Sequence, residues 1–143
     1  MLGSLQELVM RLARGRLRRT VKRALALTPR GFVPHDVLRL SRLSAQLKME
    51  WRARDVHPWH RDLPAERQAA LFREQTLVDT DAAIARSFQL LPDVAAIEIR
   101  VLEPHAPDRV ILVGTVGRHD ALASRSLSSP RMRLNMMGVR CQW

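Results

Sequence analysis

Tyrosine is absent from this chain, cysteine occurs once, and only three Trp and three Phe are spread over 143 residues. One cysteine, Cys141, cannot form an internal bridge, which excludes a disulfide-stapled scaffold and fits a reducing compartment. The shortage of exposed-type aromatics argues against an RNA-reading sheet, where rings must stack on bases. No apolar run approaches the length of a membrane span. Arginines from Arg11 onward interrupt any signal-peptide core, so cytoplasmic residence is the expectation. Neither G-x-x-x-x-G-K-S/T nor G-x-G-x-x-G occurs, which removes the common phosphate loops. No cofactor is implied by any motif.

What the chain has in excess is positive charge, 24 Lys and Arg against 14 Asp and Glu. Its placement matters more than its total. Residues 1–30 hold eight basic groups and one acid, Glu7, whereas the remaining 113 residues hold 16 basic and 13 acidic groups. Only Lys22 and Lys48 are lysines. A GC-rich genome alone would favour arginine, so the clustering carries the meaning. The pattern divides the chain into a basic amphipathic leader at 1–30, a short second helix with linker at 31–46, and an α+β domain at 47–143.

In the leader, Leu5, Leu8, Leu12, Leu17, Val21, Ala24 and Leu27 recur at mostly helical spacing with arginines between them. Ser4 and Glu7 make a capping-box pattern, and Thr28-Pro29-Arg30-Gly31 ends the helix. Pro34 to Ser44 reads as a second helix, with Val37, Leu40 and Leu43 on its buried edge. Leu47 to Arg54 alternates apolar and charged residues as a half-buried strand does. The loop Asp55–Asp62 follows, Asp62 is placed as a helix cap, and a long helix runs to about Leu91 on Leu77, Ile84 and Phe88. Ile97, Ile99 and Val101 alternate with Glu98 and Arg100. A proline turn then leads to an apolar strand, Arg109–Val116, completing a hairpin. A short helix from His119, a second started by Ser129-Pro130 and closed by Gly138, and a terminal strand through Val139, Cys141 and Trp143 finish the chain.

From Leu47 the order is strand, helix, strand, strand, helix, strand. It predicts a ferredoxin-like βαββαβ two-layer sandwich with a four-stranded antiparallel sheet, preceded by two N-terminal helices. Such a fold does not name an activity. Residues Asp79 to Val116, a helix followed by I-x-I-x-V and V-I-L-x-G-T-V, also resemble the BON-type domain over less than a third of the chain. That resemblance implies association with membrane lipid, typically in exported proteins.

Two candidate sites emerge. Asp55, His57, His60 and Asp62 crowd one loop and supply N and O ligands. With His119 or His105 brought near, they would make a metal or acid–base centre, His57 and His60 being the metal ligands. The plainer expectation is a structural loop, with Asp62 capping the helix and Trp59 plugging the helix–sheet seam. His119-Asp120 is no dyad, since adjacent helical residues do not face one another. The other candidate is the leader, where Arg11, Arg14, Arg16, Arg18, Arg19, Lys22 and Arg23 would contact nucleic acid, an anionic membrane surface or an acidic protein. A homo-oligomer through the open sheet face is a further expectation. The function expected is therefore a non-enzymatic binding or assembly module, with an enzyme or metal-dependent module at 55–62 as the alternative.

Overall fold

The computed structural model describes residues 37–106 and 108–143, together with positions 5, 7, 8, 11, 12, 15, 16 and 19. The described strands form one five-stranded mixed sheet in sequential order: β1 (Val37–Leu43), β2 (Gln46–Arg52), β3 (Ala96–Leu102), β4 (Val110–Gly117) and β5 (Arg140–Cys141). Three helices follow β2 and β4: α1 (Ala65–Leu90) crosses from β2 to β3, while α2 (Arg118–Ser124) and α3 (Pro130–Met136) connect β4 to β5.

The alternation in β2 and β3 builds the core directly. Leu47, Met49 and Trp51 of β2 and Ile97, Ile99 and Val101 of β3 are all buried, and β2 and β3 lie side by side. Leu112 and Val116 extend this surface onto β4, and α1 covers it with Leu77, Ile84 and Phe88. Leu134, Met137 and Val139 join from α3 and the chain beyond it. Truncating any of these to alanine removes packing worth about 2–5 kcal/mol. The α3 boundaries match their sequence signals: Ser129 Oγ accepts from the Met132 N–H, Pro130 opens the helix, and Gly138 takes φ 82° behind it.

Several expectations are overturned. The sheet is not a four-stranded antiparallel ferredoxin-like one. β2 and β3 are parallel and adjacent, with no later strand inserted between them, and a fifth strand pairs on the far side of β2. The same order of elements fits either topology, so pairing was the undetermined quantity. The second N-terminal helix is also replaced: residues 37–43 form β1, antiparallel to β2. Leu40 and Leu43 are a helical step apart, yet Leu40 packs against the core while Leu43 is 78% exposed. Two residues, Ser44 and Ala45, connect β1 to β2, with Leu43 paired to Gln46. Ser44 has φ 54°, the positive angle that a type II′ hairpin needs at its first central residue.

The start of α1 differs too. Its N-cap is Pro64, without a side-chain cap bond, and Asp62 is exposed. Trp59 is 85% exposed and plugs nothing. The alternation of Val139, Cys141 and Trp143 predicts Cys141 facing inward with Val139; Val139 is buried, but Cys141, in a β5 of only two residues, is exposed.

Candidate functional site

After Ala53 the chain leaves the sheet and makes a single 3-10 turn, Pro58–His60, in which no residue is buried. His57 caps it: Nδ1 accepts from the Trp59 N–H at 3.3 Å, which commits that nitrogen to the backbone. The His57 and His60 rings lie 6.3 Å apart at 70°, both exposed. Asp55 turns elsewhere. Its carboxylate accepts from the Val56 N–H at 2.8 Å and meets His105 Nε2 of the β3–β4 loop at 2.6 Å. Thus the structure brings His105 to Asp55 and leaves His57, His60 and Asp62 outside that pair. Among the described residues no group of three or more His, Cys, Asp or Glu is arranged to hold a metal.

Partial burial pushes the Asp55 carboxyl up, but the His105 hydrogen bond, the Val56 N–H and the charges of His105 and Arg61 together bring it below the ordinary value. An Asp–His pair can orient an imidazole for proton transfer, which also requires a substrate held against it. His119 lies apart, lining a cavity with Asp93, Arg118 and Leu122 at the start of α2. The Asp55–His105 pair tethers two loops across the end of the sheet.

The open sheet face carries a shallow groove of about 290 Å³ lined by Arg39, Ser41, Lys48, Glu50, Glu98 and Arg100. Its three cations pair with its two carboxylates across the strands. Glu50, its side chain 13% exposed, sits between Arg39 at 3.8 Å and Arg100 at 3.2 Å, and Lys48 lies 3.7 Å from Glu98. Cross-strand pairs of this kind add a few tenths of a kcal/mol to about 1 kcal/mol each. They also engage the cations that an anionic ligand would need.

On the helix layer, two acids of α1, Asp79 and Asp81, are buried. Asp79 receives a two-point contact from Arg54, at 2.7 and 3.0 Å. Asp81 takes Arg125 at 2.7 Å and Arg133 at 3.0 Å, so one carboxylate ties α1 to α3 and to the residue that ends α2. Nothing in the sequence signals these partners, which lie 25 to 52 positions away. Both are structural clamps.

The leader has a different character. At its described positions the backbone is helical, and Leu5, Leu8 and Leu12 are 61%, 55% and 59% exposed. Arg11, Arg16 and Arg19 are exposed as well. Positions 5, 8, 12, 16 and 19 are three or four apart, so in a helix one line of side chains runs from leucine to arginine. Arg14, Arg18, Lys22 and Arg23 lie outside the described residues. Among the described residues, no helix is long and apolar enough to cross a membrane. Comparison with protein-family models, with curated proteins and with solved structures finds no match for this chain.

Proposed function

We propose that this protein is a non-enzymatic binding module whose basic N-terminal helix docks on an anionic lipid surface, with the α+β domain as its cargo or scaffold. The observation that carries the reading is the simultaneous exposure of Leu5, Leu8 and Leu12 with Arg11, Arg16 and Arg19. Nucleic acid would use only the arginines, through charge, and would leave the leucines in water. A bilayer interface uses both. Each basic side chain near an anionic surface contributes about 1 kcal/mol, and burying a leucine fully contributes about 1.5–3 kcal/mol. The charge contribution is screened by salt and the apolar one is not.

The test is retention of the full chain on phosphatidylcholine vesicles with and without phosphatidylglycerol, beside retention on duplex DNA. The expected result is binding that requires the anionic lipid, weakens with salt without vanishing, and is lost when Arg11, Arg16 and Arg19 become glutamate. Salt-steep DNA binding with no vesicle retention would move the assignment to nucleic acid. Equal retention by the glutamate variant would overturn it.

A further inference from the structure

We infer that the edge of β1 away from β2 pairs with β1 of a second copy, antiparallel about a two-fold axis at Ser41, joining two five-stranded sheets into one of ten strands. Among the described residues nothing pairs with β1 on the side away from β2. At the opposite edge β5 offers only two residues. A sheet with one long edge and one stub can pair once and then close, giving a dimer and not a fibre.

The register follows from the hairpin. In a two-residue turn the flanking residues, Leu43 and Gln46, form the hydrogen-bonded pair, and the alternation continues with Ser41 opposite Lys48. The backbone groups of Leu40 and Arg42 therefore point outward, to the free edge. Three axes would match outward groups to outward groups. An axis at Arg42 sets that arginine against its own copy, a like-charge pair that is destabilising. An axis at Leu40 runs the pairing into the irregularity between Val37 and Arg39. An axis at Ser41 avoids both. It pairs Leu40 with the copy's Arg42 in both directions and sets Arg39 beside the copy's Leu43, the apolar residue left 78% exposed in one chain. The long arginine stem can cover that leucine while its head stays wet. The charges of the sheet face are already paired within one chain, so the contact between copies is placed at the edge instead of the face. An interface of one strand pair is small, and the dimer is accordingly weak and concentration-dependent.

The experiment uses the full chain with Cys141→Ser, which removes the exposed native thiol. Ser41 faces its own copy in a non-hydrogen-bonded pair with Cα atoms about 4.5 Å apart, within disulfide reach. Ser41→Cys should form a covalent dimer under mild oxidation, while Ser44→Cys, also exposed but at the turn, should not. Sedimentation at rising concentration should show dimer for the parent and for Arg42→Ala, which loses the Arg42–Asp93 ion pair but keeps its N–H. Arg42→Pro, which deletes the outward N–H and spares the bonds to β2, should be monomeric with an unchanged circular dichroism spectrum. A chain monomeric at every concentration, a dimer that survives Arg42→Pro, or equal crosslinking at Ser41 and Ser44 would each overturn the inference.

Discussion

Arg118 shows how much one side chain can hold. Its guanidinium donates to the carbonyls of Val94 at 2.9 Å, Phe88 at 2.9 Å and Leu91 at 2.6 Å, closing the C-terminal end of α1 where backbone oxygens lack intrahelical partners. It also lies over the Phe88 ring, 4.8 Å from the centroid. Arg118→Ala should cost about 2 kcal/mol in urea unfolding, the scale of hydrogen bonds to a charged group, and Arg118→Lys should recover only part because a single ammonium nitrogen replaces the three separate nitrogens that each meet one carbonyl. Gly114 is constrained for another reason. A Cβ there would stand 3.0 Å from the Val139 Cα and 3.1 Å from the Gly138 carbonyl oxygen, both backbone. Gly114→Ala should therefore destabilise by about 1–3 kcal/mol, with α3 and β5 showing the largest amide shifts.

Asp55 gives a pH signature. Its carboxyl titrates below its ordinary value of 3.8, so the folded state favours the charged form. Stability from the carboxylate is complete above 3.8 and is lost as pH falls through the lower folded value. Melting temperatures of the parent and Asp55→Asn should differ at neutral pH and converge in acid below that ordinary value. A constant gap down the acid range would mean that the pairing with His105 has no electrostatic content.

At the scale of elements, the strands that alternate strictly were legible, and so was the long helix. Leu47, Met49 and Trp51 could face only one way, and so could Ile97, Ile99 and Val101. Pairing was not legible, because alternation reports which face a strand buries and not which strand lies beside it. β1 was misread for a local reason. Its turn has Ser44 where a type II′ hairpin favours glycine, so the usual hairpin signal was missing. Ser44→Gly should relieve the positive φ and stabilise the protein by about 1 kcal/mol, measurable by thermal melting. The buried acids were hidden by distance along the chain. Asp81 is paired only because the end of α2 and α3 deliver Arg125 and Arg133 to it. Asp81→Asn should cost about 3 kcal/mol, since it leaves two arginines at the helix junction without their counter-charge. The loop histidines were legible as a cluster, but which neighbour Asp55 chooses depends on where the β3–β4 loop lands.

For the whole molecule, the two parts of the chain differ in how their charges are used. In the α+β domain, arginines are engaged on the sheet face by Glu50, beside α1 by Asp79, and between helices by Asp81. The leader places exposed arginines next to exposed leucines, with Glu7 as its one acid up to residue 30. A polar ligand site within the domain would have to compete with ion pairs already made.

The most direct test of this account separates the two halves of the leader's surface. Vesicle partitioning of the full chain should be measured against salt for the parent, for Leu5, Leu8 and Leu12 changed to serine, and for Arg11, Arg16 and Arg19 changed to glutamate. The leucine variant should bind anionic vesicles weakly and be released completely by salt, while the parent retains a salt-resistant fraction and the glutamate variant does not bind. Identical salt curves for the parent and the leucine variant would contradict the claim that this helix docks on a lipid surface.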